Sequence, residues 1–352
     1  MKGQISLFDK AAENTVIFGD AVRGLQLLPD ECVDTCITSP PYFNLRDYGK
    51  DGQIGLEDSA DEYIEKLVKV FREVRRVLKP DGTLWVNIAD SYCGSGKGAS
   101  NYPDNAKKHK QGTNKGSVGT YLSKTTAADC KPKDLIGIPW MLAFSLRSDG
   151  WYLRQDIIWR KPNPMPESVR DRCTKSHEYI FLLSKSPRYY FDSEAIAEPV
   201  SNATIKRLSQ NCDAQEGSYT PSKGNGKMKA VLPRYGGKKY TEAPDLFYRT
   251  KSGNAYDYRP KRNKRDVWDV STKPYKGAHF ATFPDTLITP CVLAGSRVGG
   301  TVLDPFCGSG TTLMVANKFG RDGIGIELNE EYEQLIKDRV GEYTRVSAEE
   351  EK

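Results

Sequence analysis

A five-residue run, Thr38-Ser39-Pro40-Pro41-Tyr42, combines hydroxyl groups, two consecutive prolines and an aromatic ring. It directly follows the largely apolar stretch Val33–Ile37, which predicts a buried strand. This strand cannot continue, because neither proline can donate a hydrogen bond to a neighbouring strand. The chain therefore leaves the sheet at the carboxyl end of a strand, where open α/β sheets bind ligands. The carbonyl groups before and between the prolines are free to accept hydrogen bonds from a ligand amino group.

A second candidate site is the glycine-rich run Asp304-Pro305-Phe306-Cys307-Gly308-Ser309-Gly310-Thr311-Thr312. A predicted strand, Gly300–Leu303, precedes it, and a predicted helix, Leu313–Phe319, follows it. The next predicted strand, Gly323–Glu327, ends in a carboxylate 23 positions after Asp304. This order is the layout of a nucleotide-binding turn. The glycines let the backbone approach the ligand, and the acid accepts hydrogen bonds from two ribose hydroxyls.

Two details argue against a dinucleotide and favour S-adenosylmethionine as the ligand of this turn. No third glycine stands at the start of the helix, where a pyrophosphate would need one. In addition, Asp304 would repel a pyrophosphate, whereas it suits a cationic ligand with a sulfonium, an α-ammonium and no phosphate. The alternative for Asp304 is a purely structural role as the N-cap of the helix.

The elements around the two sites alternate between strands and helices. Ser59 and Glu62 form a capping box at the start of a helix whose apolar residues recur at helical spacing as far as Leu78. Lys79–Gly82 is expected to end this helix, and the strand–helix–strand order indicates a parallel sheet. The predicted strands are Asn14–Phe18, Val33–Ile37, Thr83–Ile88, Trp151–Trp159, Glu178–Leu183, Gly300–Leu303 and Gly323–Glu327.

Two segments lack this apolar periodicity. Residues 90–128 are rich in Gly, Ser, Asn and Lys and predict a long mobile loop, either a lid over the ligand or plain disorder. Ser201–Arg265 holds 15 Lys and Arg residues against 5 Asp and Glu, whereas the rest of the chain holds 37 against 41. The formal net charge of +6 therefore originates in this one segment. Its interleaved tyrosines favour nucleic acid as a partner over the alternative of a solvated charged loop.

The composition excludes several other classes of protein. The 8 cysteines include no C-x-x-C pair, and with only 3 histidines there is no zinc-binding spacing, so we expect no metal. The first 20 residues lack the apolar core of a signal peptide. No run reaches the roughly 20 apolar residues of a membrane span. We therefore expect a soluble, cytoplasmic protein without a membrane partner.

Together, the two candidate sites resemble the motifs of the DNA amino-methyltransferases. Thr38-Ser39-Pro40-Pro41-Tyr42 looks like their catalytic motif, and Asp304-Pro305-Phe306-x-Gly308-x-Gly310-Thr311 looks like their cofactor motif. The catalytic motif comes first and the basic segment lies between the two, an order that resembles the β group of this family. The resemblance implies a Rossmann-like class I methyltransferase fold. This is an α/β fold with a circularly permuted mixed sheet, helices on both faces and an inserted target-recognition region.

The same resemblance predicts three parts of the chain. Residues 14–191 would form the catalytic half of the methyltransferase domain, with the mobile loop 90–128 inside it. Residues 192–266 would form the target-recognition insert, and residues 267–345 the cofactor-binding half. Within the insert and at its end, the charge pattern predicts contacts with nucleic-acid phosphates for Lys261, Arg262, Lys264 and Arg265.

The resemblance also assigns individual roles. Ser39, Pro40, Pro41 and Tyr42 would be catalytic, and Asp20 resembles the acid that faces the adenosine of the cofactor. Residues 279–284 resemble the segment that folds over the methionine moiety, although Phe280 and Phe283 could instead be core residues. The complete set predicted to bind S-adenosylmethionine is Asp20, Phe280, Thr282, Asp304, Phe306, Gly308, Gly310, Thr311 and Glu327.

The implied reaction methylates the exocyclic N4 amine of cytosine in double-stranded DNA after the base has been flipped out of the duplex. Hydrogen bonds from the amine to the Pro40 carbonyl and to Ser39 Oγ would localise its lone pair. Tyr42 would stack on the base, with a core ring as its alternative role. Ser at position 39 favours cytosine, because adenine-N6 members more often have Asp there. Adenine N6 is the alternative target, RNA is an open substrate, and a homodimer and a cognate restriction endonuclease are open as partners.

Three rival hypotheses belong to other classes. The first is a non-catalytic nucleic-acid-binding protein on a methyltransferase fold. The second is a nicotinamide oxidoreductase, which the missing third glycine disfavours. The third is suggested by Pro290-Cys291, because carbon-5 cytosine methyltransferases attack the base with a cysteine that follows a proline. Since Cys291 lies within the apolar helical run Leu287–Leu293, we interpret it as a core cysteine.

Overall fold

The computed structural model describes residues 14–45, 49–93, 130–201, 203, 216–220, 224–227, 248–249, 255–256, 261–272 and 283–348. The chain divides into two compact units. The first unit consists of Met1–Asp192 and Arg265–Lys352, and the second unit is Ser193–Lys264. Only residues 90–93 of the predicted loop 90–128 lie within the described residues.

The first segment of the first unit alternates strands and helices before ending in a pair of long strands. Its elements are β1 (Asn14–Phe18), α1 (Ala21–Gln26), β2 (Val33–Thr38), α2 (Ala60–Val77), β3 (Leu78–Ile88), α3 (Ile138–Ser148), β4 (Tyr152–Arg160) and β5 (His177–Ser184).

The second unit contributes short strands that pair antiparallel in twos. They are β6 (Glu198–Pro199), β7 (Glu216–Thr220), β8 (Gly224–Lys227), β9 (Tyr248–Arg249), β10 (Ala255–Tyr256) and β11 (Lys261–Arg262). Strand β6 pairs with β11, β7 with β8, and β9 with β10.

The chain then returns to the first unit. The remaining elements are β12 (Val267–Asp269), α4 (Asp285–Gly295), β13 (Thr301–Asp304), α5 (Thr311–Lys318), β14 (Asp322–Glu327), α6 (Glu333–Val340) and β15 (Thr344–Ser347).

One mixed sheet organises the first unit, in the order β12-β4-β5-β3-β2-β13-β14-β1-β15. Strand β5 runs antiparallel to both of its neighbours, and the other strand pairs of this sheet are parallel. The central neighbours β2 and β13 come from opposite ends of the chain, and from them the sheet continues outward in opposite directions. Such a reversal of strand order opens a crevice at the carboxyl ends of the two strands. The predicted catalytic residues 38–42, called the catalytic run below, start at the end of β2. The glycine-rich run, residues 304–312, starts at the end of β13, so both predicted sites lie at this crevice.

Helices cover both faces of the sheet, as predicted for the class I methyltransferase fold. On one face, α1, α2 and α3 contribute to the main apolar core. On the other, Leu313 of α5 and Ile336 of α6 pack with Val16 and Phe18 of β1. Ile17, between the last two, belongs to the main core, because successive side chains of a strand point to opposite faces.

Helix α2 confirms its sequence prediction at the start and corrects it at the end. Ser59 accepts a hydrogen bond from the Glu62 backbone N–H at 3.2 Å, and the predicted apolar face is buried. The expected turn Lys79–Gly82 is instead the beginning of β3, which starts at Leu78. The pairing of β3 with β2 is irregular there, between Val33 and Thr35. A proline is tolerated at such an irregular strand start because no regular ladder hydrogen bond is required of it.

None of the helices within the described residues is long and apolar enough to cross a membrane.

Candidate active site

The two predicted sites are joined by one hydrogen bond at the crevice between β2 and β13. Thr38 Oγ1, at the end of β2, donates to Asp304 Oδ1, at the end of β13, at 2.6 Å. Both residues are buried, with only 1% of Thr38 and 2% of Asp304 exposed. Residues 266 positions apart in sequence thus fix the catalytic run and the glycine-rich run relative to each other.

Asp304 has a larger structural role than the sequence indicated. Besides Thr38, the Thr312 hydroxyl donates to its Oδ2 at 2.6 Å and the Phe306 backbone N–H donates to its Oδ1 at 3.1 Å. Burial nevertheless raises the pKa of Asp304 to about 6. The alternative role as helix N-cap is wrong, because Gly310 occupies that position in α5. A direct contact between Asp304 and a sulfonium stays a prediction.

The glycine-rich turn needs its glycines for two physical reasons. Gly308 and Gly310 have φ angles of 53° and 78°, in the left-handed region that side chains disfavour. A Cβ at Gly310 would also lie 3.2 Å from Val340 Cγ1 of α6. Thr311 is buried, and its hydroxyl accepts a hydrogen bond from Arg339 of α6. The turn is therefore held tightly between the sheet and α6.

Glu327 lies beside this turn at the carboxyl end of β14. Its Oε2 accepts the Gly308 backbone N–H at 2.8 Å, and its Oε1 accepts the Asn329 backbone N–H at 2.9 Å. The residue is 9% exposed. Burial raises its pKa to about 7, and the nearby charge of Asp304 contributes in the same direction. A carboxylate held by the backbone of the glycine-rich turn is well placed for a ligand that approaches that turn.

Asp20 follows β1, the strand next to β14. Its Oδ1 accepts the Arg23 backbone N–H at 3.0 Å and so caps α1. The Gly19 backbone N–H donates to the Glu327 carbonyl at 2.9 Å, which keeps the two strand ends together. Asp304, Glu327 and Asp20 thus place carboxylates at three consecutive strand ends.

These three carboxylates fit S-adenosylmethionine as a ligand and do not fit a phosphate ligand. Among the described residues, no Lys or Arg side chain hydrogen-bonds to the carboxylates of Asp20, Asp304 or Glu327. Carboxylates accept hydrogen bonds from ribose hydroxyls and attract a cation, whereas they repel phosphate. Phe306 is partly buried and packs against the main core. The remaining predicted cofactor residues, Phe280 and Thr282, lie outside the described residues.

Two carbonyl groups of the catalytic run, those of Pro41 and Pro40, differ in their hydrogen bonding. The buried Tyr63 of α2 donates its hydroxyl to the Pro41 carbonyl at 2.8 Å. Within the described part of the chain, no donor is hydrogen-bonded to the Pro40 carbonyl. The Pro40 carbonyl, which the sequence predicted as an acceptor for a ligand amine, therefore has its hydrogen-bonding capacity unused by these residues.

Tyr42 is partly buried, and its hydroxyl ends in a polar network. It donates to Glu178 Oε2 at 2.6 Å, with Asn87 Oδ1 as a second, longer contact at 3.3 Å. Burial and the neighbouring Glu178 raise the pKa of the Tyr42 hydroxyl, so it remains protonated. Lys161 donates to the other oxygen of Glu178.

The predicted phosphate-binding residues lie where the chain passes from the second unit back to the first. Lys261 and Arg262 form β11 of the second unit, and Arg265 is the first residue of the returning chain. Glu198 of the second unit lies 3.4 Å from Arg262 Nη2 and 3.6 Å from Lys264 Nζ. These contacts leave the phosphate-binding role as a prediction.

Several residues of the site were missed by the sequence analysis: Thr38 as a bridge to Asp304, Thr312, Tyr63, Asn87, Lys161 and Glu178. Glu178 did carry a signal, since it is a charged residue near the start of an otherwise apolar strand. Because β5 is antiparallel, the beginning of this strand lies at the same edge as the carboxyl ends of the parallel strands. That orientation is visible only in the folded sheet.

Two other expectations concern cysteines and metals. Cys291 is 1% exposed within α4, in agreement with its interpretation as a core cysteine. Among the described residues, no group of three or more His, Cys, Asp or Glu side chains is placed to hold a metal ion.

Comparison with known proteins adds independent findings. A family model described as DNA methylase matches residues 33–338. The Type II methyltransferase M.SmaI of Serratia marcescens is 46% identical over 325 residues, which cover 92% of this chain and 90% of that protein. M.Cfr9I of Citrobacter freundii is 43% identical, with 94% and 89% covered.

Solved structures support the fold. The PvuII DNA methyltransferase, described as cytosine-N4-specific, aligns with a TM-score of 0.55 at 16% identity, covering 97% of this chain and 98% of that one. A protein of Thermus thermophilus described as a putative DNA modification methylase, solved with S-adenosyl-L-methionine, gives a TM-score of 0.52 at 21% identity, covering 95% and 99%.

Proposed function

The chain belongs to the DNA methylase family, and from this premise we propose that it methylates the exocyclic N4 amine of cytosine in duplex DNA. S-adenosylmethionine is the methyl donor of this proposal. The observation that carries the proposal is the Thr38–Asp304 hydrogen bond, because it joins the strand end that leads into Pro40 to the strand end that leads into the carboxylate-lined turn. A target amine at Pro40 and a cofactor at the turn would therefore meet in one crevice.

The residues of the turn would bind the cofactor through its charges and hydroxyls. Glu327 accepts the ribose hydroxyls, Asp20 faces the adenosine, and the backbone of Gly308 and Gly310 allows close approach. When bound, S-adenosylmethionine supplies a methyl group activated by its sulfonium. The Pro40 carbonyl, to which no described residue donates a hydrogen bond, and the carboxylates on three strand ends support this arrangement.

The catalytic run would prepare the amine for attack. The lone pair of the amine is delocalised into the ring, and hydrogen bonds from its two N–H groups to the Pro40 carbonyl and to Ser39 Oγ direct that lone pair towards the methyl group. The base must leave the duplex to reach this crevice. The partly buried Tyr42 ring offers it a stacking surface.

Cytosine is proposed over adenine because of Ser39. Adenine-N6 members of the family more often have Asp at this position, and the PvuII enzyme, which shares the fold, is described as cytosine-N4-specific. The second unit, with the neighbouring Arg265, is proposed to recognise the target sequence, and its excess of basic residues supports DNA binding.

The Type II names of the relatives support two further parts of the proposal, a role in a restriction–modification system and a cognate restriction endonuclease as partner. The proposed location is the cytoplasm, as a role in a restriction–modification system would require.

The test is mass spectrometry of nucleosides from plasmid DNA incubated with the pure protein and S-adenosylmethionine labelled in its methyl group. Labelled N4-methylcytosine is the expected product, and Ser39→Ala and Tyr42→Ala should each reduce its rate of formation strongly. Labelled N6-methyladenine would keep the methyltransferase but refute cytosine as the target. Unlabelled DNA from a protein that binds the cofactor would refute the proposed substrate.

A further inference from the structure

Beneath the catalytic run lies a buried polar network that the proposed reaction does not explain. Glu178 is only 8% exposed and Asn87 only 4%. Asn87 Nδ2 donates to Glu178 Oε2 at 3.2 Å and to the Tyr179 carbonyl at 3.1 Å. Lys161 donates to Glu178 Oε1 and also lies 4.4 Å from the centre of the Trp159 ring. Every described contact of the Glu178 carboxylate is thus with a hydrogen-bond donor.

Stability alone is a weak reason for such a network. Burying an ion pair costs desolvation that its mutual attraction often only offsets, and an apolar pair of similar volume is frequently as stable. Glu178 is also followed on β5 by largely buried residues from Tyr179 to Leu183, whose side chains are aliphatic or aromatic. A carboxylate retained at this position points to a function at the adjacent catalytic run.

The hydrogen bonds of Tyr42 and Glu178 indicate that function. A tyrosine hydroxyl has one proton, and Tyr42 donates it to Glu178 at 2.6 Å. Asn87 and Lys161 donate to the same carboxylate. The Tyr42 hydroxyl is therefore held by a carboxylate that is itself held in place, which fixes the orientation of the ring that would stack on the flipped base.

We propose that Glu178 is a positioning residue that holds the Tyr42 ring in one orientation for stacking on the flipped target base. This inference rests on the proposed amine methylation. Glu178 touches neither substrate nor cofactor in this scheme. It acts through its hydrogen bond with the Tyr42 hydroxyl, and Asn87 and Lys161 donate to the carboxylate and hold it in place.

Two variants test the proposal on the labelled-DNA assay. Tyr42→Phe keeps the ring and removes the hydroxyl, and Glu178→Gln removes the charge while keeping the shape. Each should lower kcat by at least about tenfold, the size expected for one lost hydrogen bond to a charged group. The KM values for DNA and for S-adenosylmethionine should change little. Because both substitutions disrupt the same hydrogen bond, between Tyr42 and Glu178, the double variant should be no slower than the slower single variant.

Glu167→Gln is the matched control. Glu167 also accepts a hydrogen bond from a cationic side chain, that of Arg172 at 2.7 Å, and lies in the connection between β4 and β5, shortly before Glu178. It has no described contact with Tyr42, so its kcat should equal that of the wild type. Thermal unfolding and cofactor binding of each variant establish that it is folded. If Glu178→Gln does not fold, Tyr42→Phe combined with Lys161→Met takes its place in the cycle.

The outcomes separate this inference from the proposed function. Wild-type kcat in Tyr42→Phe, or losses that multiply in the double variant, would overturn the role of Glu178 while methylation of DNA stands. A wild-type protein that transfers no label to DNA would instead refute the proposed function, and this inference with it.

Discussion

Two buried carboxylates at neighbouring strand ends, Asp304 and Glu327, have pKa values raised by burial to about 6 and about 7. The folded protein therefore binds protons more tightly at these groups than the unfolded chain does. Their contribution to stability is fully present below the unfolded pKa values, near 4, and is lost as the pH rises through about 6 to 7. Near neutral pH these buried carboxylates lower the stability of the folded protein, which is consistent with a binding role.

The first prediction concerns Glu327 and cofactor affinity. If its carboxylate accepts the ribose hydroxyls, the affinity for S-adenosylmethionine should fall as the pH is lowered from about 8 to about 6, because protonation removes an acceptor. Glu327→Gln should bind more weakly at the higher pH and lose this pH dependence. Isothermal titration calorimetry measures both quantities. The control is Glu330→Gln, an exposed acid paired with Arg345, which should behave like the wild type. An unchanged pH dependence in Glu327→Gln would contradict the assignment.

The second prediction concerns the hydroxyls that hold Asp304. Thr312→Val removes a donor at 2.6 Å from the buried carboxylate. At pH 8, where Asp304 is ionised, the free energy of unfolding should fall by about 1.5–3 kcal/mol, the value of a hydrogen bond to a charged group. At pH 5 the loss should be smaller, because the carboxyl is largely protonated. Urea unfolding at both pH values measures the difference.

Thr289→Val is the matched control for this change. Thr289 Oγ1 donates to the Asp285 backbone carbonyl at 2.8 Å within α4, so no carboxylate is involved. Its effect on stability should therefore be the same at pH 5 and pH 8. An equal loss at the two pH values for Thr312→Val would show that Asp304 keeps its ordinary pKa.

At the scale of elements, α2 supports the catalytic run through a side chain of its first turn. Its Ser59 cap and buried apolar face fix the first turn of the helix, and Tyr63 in that turn is hydrogen-bonded to the Pro41 carbonyl. Tyr63 also packs on Phe43, with ring centroids 5.4 Å apart. The conformation after the two prolines thus depends on a helix that begins about 20 residues later in the sequence.

The third prediction tests this support. Tyr63→Phe keeps the ring but leaves the Pro41 carbonyl without its donor. We expect the free energy of unfolding to fall by about 1 kcal/mol and kcat to fall as well, since the run is less constrained. Tyr343→Phe is the control, because its buried hydroxyl has no hydrogen-bond partner among the described residues and its removal should be neutral or stabilising. Unchanged kcat in Tyr63→Phe would show that the prolines alone fix the run.

At the scale of the whole molecule, the main sheet and most of the excess positive charge belong to different units. The first unit contains the mixed sheet and the crevice, whereas most of the positive excess lies within the second unit, Ser193–Lys264. This division suits an enzyme in which one part performs the chemistry and another holds a polyanion. Phosphate contacts make binding dependent on salt, because each neutralised phosphate releases counterions.

The fourth prediction uses this salt dependence. Replacing Lys261, Arg262, Lys264 and Arg265 by alanine should reduce the slope of log K against log salt by about 0.9 for each residue that contacts a phosphate of the duplex. Fluorescence anisotropy with labelled duplex DNA measures the slope. The control replaces four cations on helices of the first unit, Lys69, Arg72, Lys318 and Lys337, and should leave the slope unchanged. Equal effects of the two sets would refute a specific role for the first.

The sequence by itself determined the local features of this protein. The two prolines end β2, the capping box starts α2, and the glycine-rich run joins a strand to a helix, because each depends on the conformational preferences of a few adjacent residues. The resemblance of the catalytic run and the glycine-rich run to the motifs of the family could be recognised for the same reason, as could the α/β class and the burial of Cys291.

Only the tertiary structure decided which of these features meet. The order of the sheet places β2 beside β13, and this neighbourhood creates the Thr38–Asp304 hydrogen bond across 266 positions. The antiparallel direction of β5 brings Glu178 to the hydroxyl of Tyr42, and the start of β3 at Leu78 follows from its irregular pairing with β2. The pairing of strands that are distant in sequence depends on the whole sheet. Hydrogen bonds between side chains at the ends of these strands form only when the strands are neighbours. For that reason no local pattern of residues encodes these contacts.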